Sequence, residues 1–367
     1  MKTIKIAGAG LSGLTAAINL AKAGYSVEVF EAKDSVGKRF SGDLQGLENW
    51  TDEQDVLELL KLYNIEVDFE YSPAQNRIEI WTKDEKFHFG RKDFIKPIYY
   101  TVKRGNEAKT LDASLLNQAL KYPNIKILFN HPITDLEEVD IVATGPYTKN
   151  DVFDYIASGY IFEANIQDQT TLILDDKTAP DGYGYFLSMN GRCVIAVCIA
   201  KDFKNLINYR DKLYELITKE KQLKNIANLR QFSGTGNFYL MDKYPNKIYC
   251  GEAGGFQDMV MGYGMKYAIQ TGYYAAQSII QDENYYELIK KHIKPKLEAS
   301  ISSRLFYKFL TGSSYTFLVG FVGRIIGVRK VLSLIYDNNL LHKMFLPIAK
   351  RYYRNNIRNP RNLSEES

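Results

Sequence analysis

The chain has 367 residues, enough for two domains or for one large domain with an insertion. Its composition, 45% hydrophobic and 25% charged, is that of a folded globular protein and excludes a disordered or fibrous chain. The net charge of +4 conceals an asymmetry, because residues 288–367 carry 15 Lys and Arg against 4 Asp and Glu.

The cysteines and histidines indicate the cellular compartment and argue against a structural metal site. The three cysteines have neither CxxC spacing nor the density of a secreted disulfide scaffold. The four histidines are scattered without metal-ligand spacing. Because the chain also opens on a strand-like segment rather than a signal peptide, we expect a cytoplasmic protein without a structural metal.

The first predicted elements form a βαβ unit. Ile4–Ala7 is typical of a short buried strand, and the glycine cluster GAGLSG (8–13) follows it. A helical run then leads to a second apolar strand, Ser26–Phe30, which ends at Glu31. This order of strand, glycine turn, helix, strand and acid is the dinucleotide-binding fingerprint in its full context.

Each glycine of this fingerprint has a physical task. Gly8 makes the tight turn, Gly10 lets the backbone approach a pyrophosphate, and Gly13 lets the helix pack on the strand. The helix N-terminus at Leu11 and Ser12 supplies N–H groups for the phosphates. Glu31, followed by Ala32, is placed to bind the ribose hydroxyls of an adenosine. The acid suits FAD or NAD and disfavours NADP.

The middle of the chain is predicted to form a second sheet. Residues 76–102 alternate like antiparallel strands, and four later segments do the same. These segments are Gly159–Ile166, Thr170–Leu174, Tyr183–Leu187 and Arg192–Ile199. A helix is predicted at Asp202–Lys219.

The second glycine cluster, GEAGGFQDMVMGYG (251–264), lies between a predicted strand, Lys247–Cys250, and a helix that runs from Met265 to about Gln281. An acid at Glu252 can hold the ribityl hydroxyls of a flavin. The helix start at Gly262–Gly264 can face the electron-rich edge of the reduced flavin ring. An NAD enzyme has no need of such a second element, so the two clusters together favour FAD.

With these two clusters the chain resembles the geranylgeranyl reductase family of FAD-dependent oxidoreductases, which has the para-hydroxybenzoate hydroxylase fold. The family's second motif, GDAAGFxxPxxGxG, is similar to residues 251–264. Two positions depart from it: Glu252 replaces Asp, and Met259 replaces Pro.

The resemblance implies further cofactor contacts. The strand and turn Asp140–Gly145 look like the ATG segment that returns to the cofactor, through Ala143, Thr144 and Gly145. Arg104, followed by the helix that begins near Leu111, resembles the arginine that flanks the flavin. Gly37-Lys38-Arg39 is similar to the GGR motif of amine oxidases and carotenoid desaturases, which implies that Arg39 touches the FAD diphosphate.

A substrate-side motif is matched in part. The family's PxxYxWxFP corresponds to residues 180–188, which keep Pro180 and Tyr183 but place Tyr185 and Leu187 at two of the later positions. Tyr183, Tyr185 and Leu187 are therefore candidate substrate contacts, although a half-buried strand alternates in the same way. Asp181-Gly182 equally fits the Asp-Gly motif of the hydroxylases.

The catalytic acid is not fixed by the resemblance. The family has a cysteine in the loop after the ribose acid, and residues 36–50 of this chain contain none. Reduction of an isolated alkene by hydride transfer requires a positioned proton donor and the exclusion of water. Asp43, Glu48 and Tyr183 are the candidates, although Asp43 and Glu48 can equally cap helices or pair with Lys38 and Arg39.

We expect an α/β chain with a Rossmann-like FAD-binding domain interleaved with an antiparallel substrate domain. The predicted FAD-binding domain comprises residues 1–70, 105–155 and 236–285, the substrate domain residues 71–104 and 156–235, and a basic helical subdomain residues 286–367. No second dinucleotide fingerprint occurs, so we expect NAD(P)H to dock transiently or a protein to donate electrons.

The C-terminal region is predicted to be helical, aromatic and basic. Its longest apolar stretch, Tyr315–Gly323, is too short to span a bilayer. Amphipathic helices that cover an apolar lipid substrate and rest on an anionic membrane fit this pattern, as does a packed bundle with a solvated basic face. Nucleic-acid binding is less favoured, because no recognised binding module accompanies the charge.

Three functions follow from the sequence. The first is an FAD-dependent reductase of the C=C bonds of an isoprenoid chain on a lipid or quinone. The second is an FAD-dependent monooxygenase or oxidase of an aromatic or other apolar substrate. The third is a flavoprotein that acts mainly through a partner. The oligomeric state is not indicated by the sequence.

Overall fold

The computed structural model of the chain describes residues 3–40, 42–146, 153–237, 246–323 and 327–356. Within these residues the strands, in chain order, are β1 Ile4–Ala7, β2 Val27–Phe30, β3 Leu44–Glu48, β4 Tyr71–Pro73, β5 Ile78–Thr82, β6 Lys86–Phe89, β7 Tyr99–Lys103, β8 Ile125–Leu128, β9 Ile141–Val142, β10 Tyr155–Glu163, β11 Gln169–Leu174, β12 Tyr183–Met189, β13 Arg192–Ile199, β14 Ala227–Gly236 and β15 Ile248–Tyr249. The α-helices are α1 Leu11–Lys22, α2 Val56–Leu62, α3 Leu111–Ala119, α4 Leu206–Glu220, α5 Met265–Gln281, α6 Tyr285–His292, α7 Lys294–Tyr307, α8 Ser313–Phe317, α9 Val328–Tyr336 and α10 Leu340–Asn356.

A parallel sheet with the order β15-β9-β1-β2-β8 forms the predicted Rossmann-like unit. The apolar strand residues and the helix α1, which is buried along most of its length, supply its core. Helix α5 lies directly against α1, since a Cβ on Gly272 would be 2.2 Å from the backbone oxygen of Ser12. Helices α1 and α5, which follow the first and the second glycine cluster, therefore lie side by side, as the predicted fold requires.

A seven-stranded sheet with the order β14-β10-β13-β12-β11-β5-β6 forms the second unit. Its pairings are antiparallel except that of β11 with β5. Successive side chains of β12 point to opposite faces of the sheet. Phe186 belongs to the apolar cluster that includes Leu213 of α4, and Leu187 belongs to the cluster that includes Tyr307 of the C-terminal region. The sheet is thus covered on both sides.

The smallest sheet was not expected as a separate unit. Strand β7 pairs with β3 and β4 rather than with the seven-stranded sheet. Strand β3 was not predicted, because Gly46 interrupts its pattern, and a Cβ there would be 2.7 Å from the ring of Tyr263. Strand β14 was also not predicted, since most of its side chains are exposed and show no apolar alternation.

The C-terminal region is helical, as the sequence predicts. Helix α10 packs on α7 through a cluster that includes Ile301, Leu305, Ala349 and Tyr353. Helix α7 in turn is joined to the start of β12 by the ion pair of Arg304 with Asp181, at 2.9 Å. Among the helices described, none is both long and apolar enough to cross a membrane.

Candidate dinucleotide-binding and active site

Three of the predicted cofactor segments converge at the carboxyl edge of the parallel sheet. A Cβ on Gly8, whose φ is +103°, would be 2.3 Å from the backbone oxygen of Ala143. A Cβ on Gly13 would be 1.9 Å from the backbone oxygen of Gly8. The first glycine turn and the segment Ala143–Gly145 therefore touch each other, and only glycine fits at these two positions.

Gly10 differs from these two glycines, because nothing lies within 4 Å of a Cβ built on it. Its φ of −79° is also one that any residue adopts. No side chain caps the N-terminus of α1 at this residue. Neither packing nor backbone strain explains the glycine, so the open space beside an uncapped helix N-terminus fits an anionic group such as a pyrophosphate.

Glu31 ends β2 beside the same turn. Its carboxylate accepts hydrogen bonds from the backbone N–H of Ala9 at 2.9 Å and of Lys33 at 3.0 Å. A carboxylate has about four acceptor positions, so these two bonds leave capacity for ribose hydroxyls. Glu31 thus orients the glycine turn and remains able to accept from a ligand.

The second glycine cluster is built against the first. A Cβ on Gly251, with φ of +58°, would be 2.7 Å from Oγ of Ser12 at the start of α1. The N–H of Gly251 is held by Oγ1 of Thr271 in α5, at 2.9 Å. Strand β15, the cluster and α5 therefore form one strand–turn–helix unit that borders the N-terminal fingerprint.

Glu252 and Arg39 connect the two halves of the site. The guanidinium of Arg39 donates to Oε2 of Glu252 at 2.5 Å and to the backbone oxygen of Thr235 at 2.9 Å. Burial lowers the pKa of Arg39, but the carboxylate of Glu252 outweighs it and raises that pKa overall. Oε1 of Glu252 is buried and has no hydrogen-bond partner among the described residues. A buried unpaired carboxylate oxygen is costly, and a ligand hydroxyl would satisfy it.

The turn before α5 is organised by Asp258. Its carboxylate accepts from the N–H groups of Val260 at 3.0 Å and Met261 at 2.7 Å, and from the hydroxyl of Tyr336 at 3.2 Å. Burial raises the pKa of Asp258 to about 6. The carboxylate thus shapes the loop that ends at Gly264, which no side chain caps.

Arg104 is held in place by its neighbours. Its guanidinium forms a bidentate pair with Asp112 of α3, at 2.8 and 2.9 Å, and donates to Gln45 at 3.1 Å. It also lies 4.0 Å from the ring centroid of Phe40. This buried pair fixes the start of α3 beside the loop that contains Asp43, and both charges already satisfy each other.

Asp43 is the predicted acid whose surroundings suit a proton donor. It is 2% exposed, and Nε2 of Gln45 donates to its Oδ2 at 2.8 Å. Oδ1 is buried without a hydrogen-bond partner among the described residues. Burial raises the pKa of Asp43, which favours the protonated form.

Glu48 has different surroundings, because its carboxylate has a charged partner. It forms a buried ion pair with Lys266, the second residue of α5, with the two side chains 2% and 1% exposed. The hydroxyl of Thr51 and the N–H of Trp50 also donate to it. Asp52 bridges Lys266 and Lys296, and although burial raises its pKa, these two lysines lower it to about 2 overall.

The candidate substrate residues lie on β12 near the second glycine cluster. The hydroxyl of Tyr183 donates to the backbone oxygen of Met261 at 2.5 Å. The rings of Tyr183 and Tyr185 are 6.1 Å apart between centroids, and Leu187 is buried in the same apolar cluster. Burial raises the pKa of Tyr183 well above its usual value, so this hydroxyl stays neutral.

Sequence reasoning did not find several aromatic and charged residues of this region. The ring of Trp50 lies 4.7 Å from that of Tyr263 and 5.5 Å from that of Tyr336, and its buried indole N–H has no partner among the described residues. Lys266 and Asp258 were missed as well. Only the position of Asp258, Tyr263 and Lys266 in or beside the second glycine cluster could have signalled them.

The comparisons with known proteins agree with this architecture. A family model described as an NAD(P)-binding Rossmann-like domain matches residues 6–46. No curated protein matches the chain in sequence. Among solved structures, a geranylgeranyl bacteriochlorophyll reductase-like protein from Thermoplasma acidophilum is similar over 97% of this chain and 99% of its own, with a TM-score of 0.69 and 19% identity.

Two further structures share the architecture. The flavin-dependent brominase Bmp2 covers 96% of this chain and 100% of its own, with a TM-score of 0.64 and 15% identity. A flavoprotein/dehydrogenase from Cytophaga hutchinsonii covers 96% and 100%, with a TM-score of 0.60 and 13% identity. The chain therefore shares the fold of these three structures, a Rossmann-like unit combined with a largely antiparallel sheet, as the sequence predicts.

Proposed function

We propose that the protein is an FAD-dependent oxidoreductase that reduces C=C bonds of an isoprenoid chain, on a lipid or a quinone. The observation that carries the cofactor assignment is Oε1 of Glu252 in the second glycine cluster, which is buried and has no partner within the part of the chain that the structure describes. An acceptor at that position has no purpose for a dinucleotide bound only by the N-terminal fingerprint. FAD is long enough to engage both.

The residues of both clusters would hold the two ends of FAD. Gly10 and the start of α1 would take the pyrophosphate, and Glu31 the adenosine ribose. Glu252 would accept from a ribityl hydroxyl, and the uncapped start of α5 at Gly264 would lie near the flavin ring. Once reduced by an external electron donor such as NAD(P)H or a protein, the bound flavin would supply a hydride to one carbon of the alkene and return to its oxidised form.

Asp43 is the proposed proton donor to the other alkene carbon. Its raised pKa keeps a proton on a carboxyl that is nine-tenths or more buried, and its unpaired Oδ1 is free to carry that proton. Gln45 fixes the other oxygen. Glu48 is the weaker candidate for this role, because its carboxylate is already bound to Lys266.

The apolar part of the substrate would lie among the aromatic and aliphatic side chains between the seven-stranded sheet, the small sheet and the C-terminal helices. Tyr183, Tyr185 and Leu187 belong to this cluster, with Trp50 at its border. Such a lining excludes water from the reacting carbons and suits an uncharged hydrocarbon chain. The resemblance to a reductase-like structure of 19% identity supports this substrate class over an aromatic acid.

The test is anaerobic reoxidation. The purified yellow protein is reduced by dithionite, or by NAD(P)H if that donor is accepted, and a geranylgeranyl lipid, menaquinone or an aromatic compound is added without oxygen. Recovery of the oxidised flavin spectrum with a prenyl compound, together with a saturated product, supports the reductase. Reoxidation by O2 alone would refute it and would favour a monooxygenase. Protein that reoxidises with neither would point to a partner-dependent flavoprotein.

The Asp43→Asn variant tests Asp43 as the proton donor independently of FAD binding. We expect the variant to bind FAD and to be reduced normally, and to lose at least about a hundredfold in the rate of substrate-dependent reoxidation. In the wild type this rate should fall as pH rises through the raised pKa of Asp43, since only the protonated acid donates. Glu48→Gln is the contrast, because it should lower thermal stability through the loss of a buried ion pair. An Asp43→Asn rate equal to wild type would exclude Asp43.

A further inference from the structure

Helix α10 has two apolar faces, and only one of them is covered. Ala349 and Tyr353 are buried against α7. Leu341, Met344 and Ile348 follow one another at spacings of three and four residues, so they share a different face. They are 61%, 62% and 57% exposed. Three large apolar side chains on one face of the helix, which we call the stripe, are thus exposed to solvent.

The exposed stripe continues onto the end of α7. The ring of Phe345 in α10 contacts that of Phe306 in α7, with centroids 5.0 Å apart. Phe306 is 43% exposed, and Phe309 beyond it is 74% exposed. We call Leu341, Met344, Ile348, Phe306 and Phe309 the docking face. A contiguous apolar surface of this kind marks a site of association.

Basic residues predominate in this part of the sequence, although Arg304 and Lys308 are paired with Asp181. Residues 300–360 contain ten Lys and Arg and one acidic residue, Asp337. Arg351 lies seven residues beyond Met344, on the same side of α10, whereas Lys343 lies seven residues before Lys350, at the edge of the exposed surface. Neither has an ion-pair partner among the described residues, whereas Lys350, on the covered side, pairs with Glu298 at 3.0 Å. The basic residues next to the stripe are therefore available to an anionic surface.

We infer that the docking face rests on an anionic lipid bilayer, with its apolar side chains inserted between headgroups and Lys343 and Arg351 bound to lipid phosphates. An amphipathic helix with basic residues beside its apolar stripe binds membranes in this way without crossing them. A second copy of the chain is a poorer occupant, because it would bring two basic surfaces together. The inference does not depend on the proposed reductase activity.

The docking face is also structurally close to the candidate site. Helix α9, which precedes α10, ends at Tyr336, whose hydroxyl donates to Asp258 in the second glycine cluster. Helix α7 contributes Tyr307 and helix α9 contributes Tyr336 to the apolar cluster that borders β12. A chain docked in this orientation would place its apolar cluster near the source of a lipid substrate.

The test is sedimentation of the FAD-loaded full chain with sucrose-filled vesicles. We expect it to bind vesicles of phosphatidylcholine with phosphatidylglycerol, to bind phosphatidylcholine alone much more weakly, and to be released by salt. Lys343→Gln with Arg351→Gln should weaken binding about thirtyfold, since each basic residue at an anionic surface contributes about fivefold. Met344→Asp with Ile348→Asp should weaken it at least as much.

Matched controls use exposed residues elsewhere. Leu62→Asp in α2 removes an apolar side chain that is 58% exposed, and Lys212→Gln with Lys224→Gln removes two exposed charges near α4. These variants should bind vesicles as the wild type does. All substituted side chains are exposed, so melting temperatures should stay close to that of the wild type.

Three results would overturn the inference. The wild type fails to bind anionic vesicles, or both pairs of α10 substitutions leave binding unchanged, or the control variants lose as much as the α10 variants. A dimer that Met344→Asp with Ile348→Asp dissociates, in a protein that ignores vesicles, would assign the docking face to a second copy instead. Flavin reoxidation by a detergent-solubilised substrate is measured separately, so failure of either proposal leaves the other testable.

Discussion

The space beside Gly10 makes the sharpest prediction about the cofactor. Substitution by Ala adds a methyl group that meets no protein atom within 4 Å, at a φ of −79° that Ala adopts freely. If the space is there for a pyrophosphate, the methyl group should harm cofactor binding while the fold is preserved. Gly13→Ala is the opposite case, because its Cβ would lie 1.9 Å from a backbone oxygen and should prevent correct folding.

The magnitudes follow from the surroundings of Gly10. Ala is a poorer N-cap than Gly, but it also restricts the unfolded chain, so the two effects oppose each other and the free energy of unfolding of the apoprotein should change by less than about 1 kcal/mol. A hydrogen bond from a backbone N–H to a charged phosphate contributes about 1.5 kcal/mol or more. If the methyl group displaces the pyrophosphate from two such donors, FAD should bind about a hundredfold more weakly.

The assay has two parts. FAD affinity of the apoprotein is measured by quenching of flavin fluorescence, and the free energy of unfolding by urea titration monitored by circular dichroism. Gly234→Ala is the matched control, since a Cβ there also meets nothing within 4 Å, and it should leave FAD affinity unchanged. A Gly10→Ala variant that is stable and binds FAD as tightly as the wild type would refute the placement of the pyrophosphate.

Two further predictions concern charged groups. Glu252→Gln should weaken FAD binding by about ten- to a hundredfold, because a neutral amide replaces a charged acceptor, whereas Glu58→Gln on the exposed side of α2 should not change a fluorescence titration. Asp52→Asn should lower the free energy of unfolding by about 2 kcal/mol at pH 7, since the pKa of Asp52 falls from 3.8 to about 2 on folding. That contribution is fully present above pH 3.8 and is lost as pH falls towards 2, so the difference in urea unfolding should shrink over this range. Asp68→Asn, which breaks an exposed pair with Lys109, should change stability little, and an equal effect of the two substitutions would contradict the argument from burial.

Local patterns predicted much of the architecture. The spacing of apolar residues correctly predicted the first and last residues of three elements. These are the strands Ile4–Ala7 and Arg192–Ile199 and the helix Met265–Gln281. Among the elements that the sequence did not reveal are β3 and β14. The first contains a glycine required by a neighbouring ring, and the second is stabilised by backbone pairing with β10 rather than by buried side chains. Neither cause leaves a local signal.

The candidate site likewise combines features that the sequence predicts with features that only the tertiary structure shows. The sequence by itself determined where glycine must stand and which acids follow the strands, because tight turns and helix N-termini impose residue types at fixed spacing. Only the tertiary structure decided the state of each acid. Asp43 is buried with one carboxylate oxygen unpaired among the described residues, whereas Glu48, five residues away, meets Lys266 from a helix more than two hundred residues later. The protonation of a carboxyl depends on burial and on charges that long-range packing brings to it, and no local pattern encodes these.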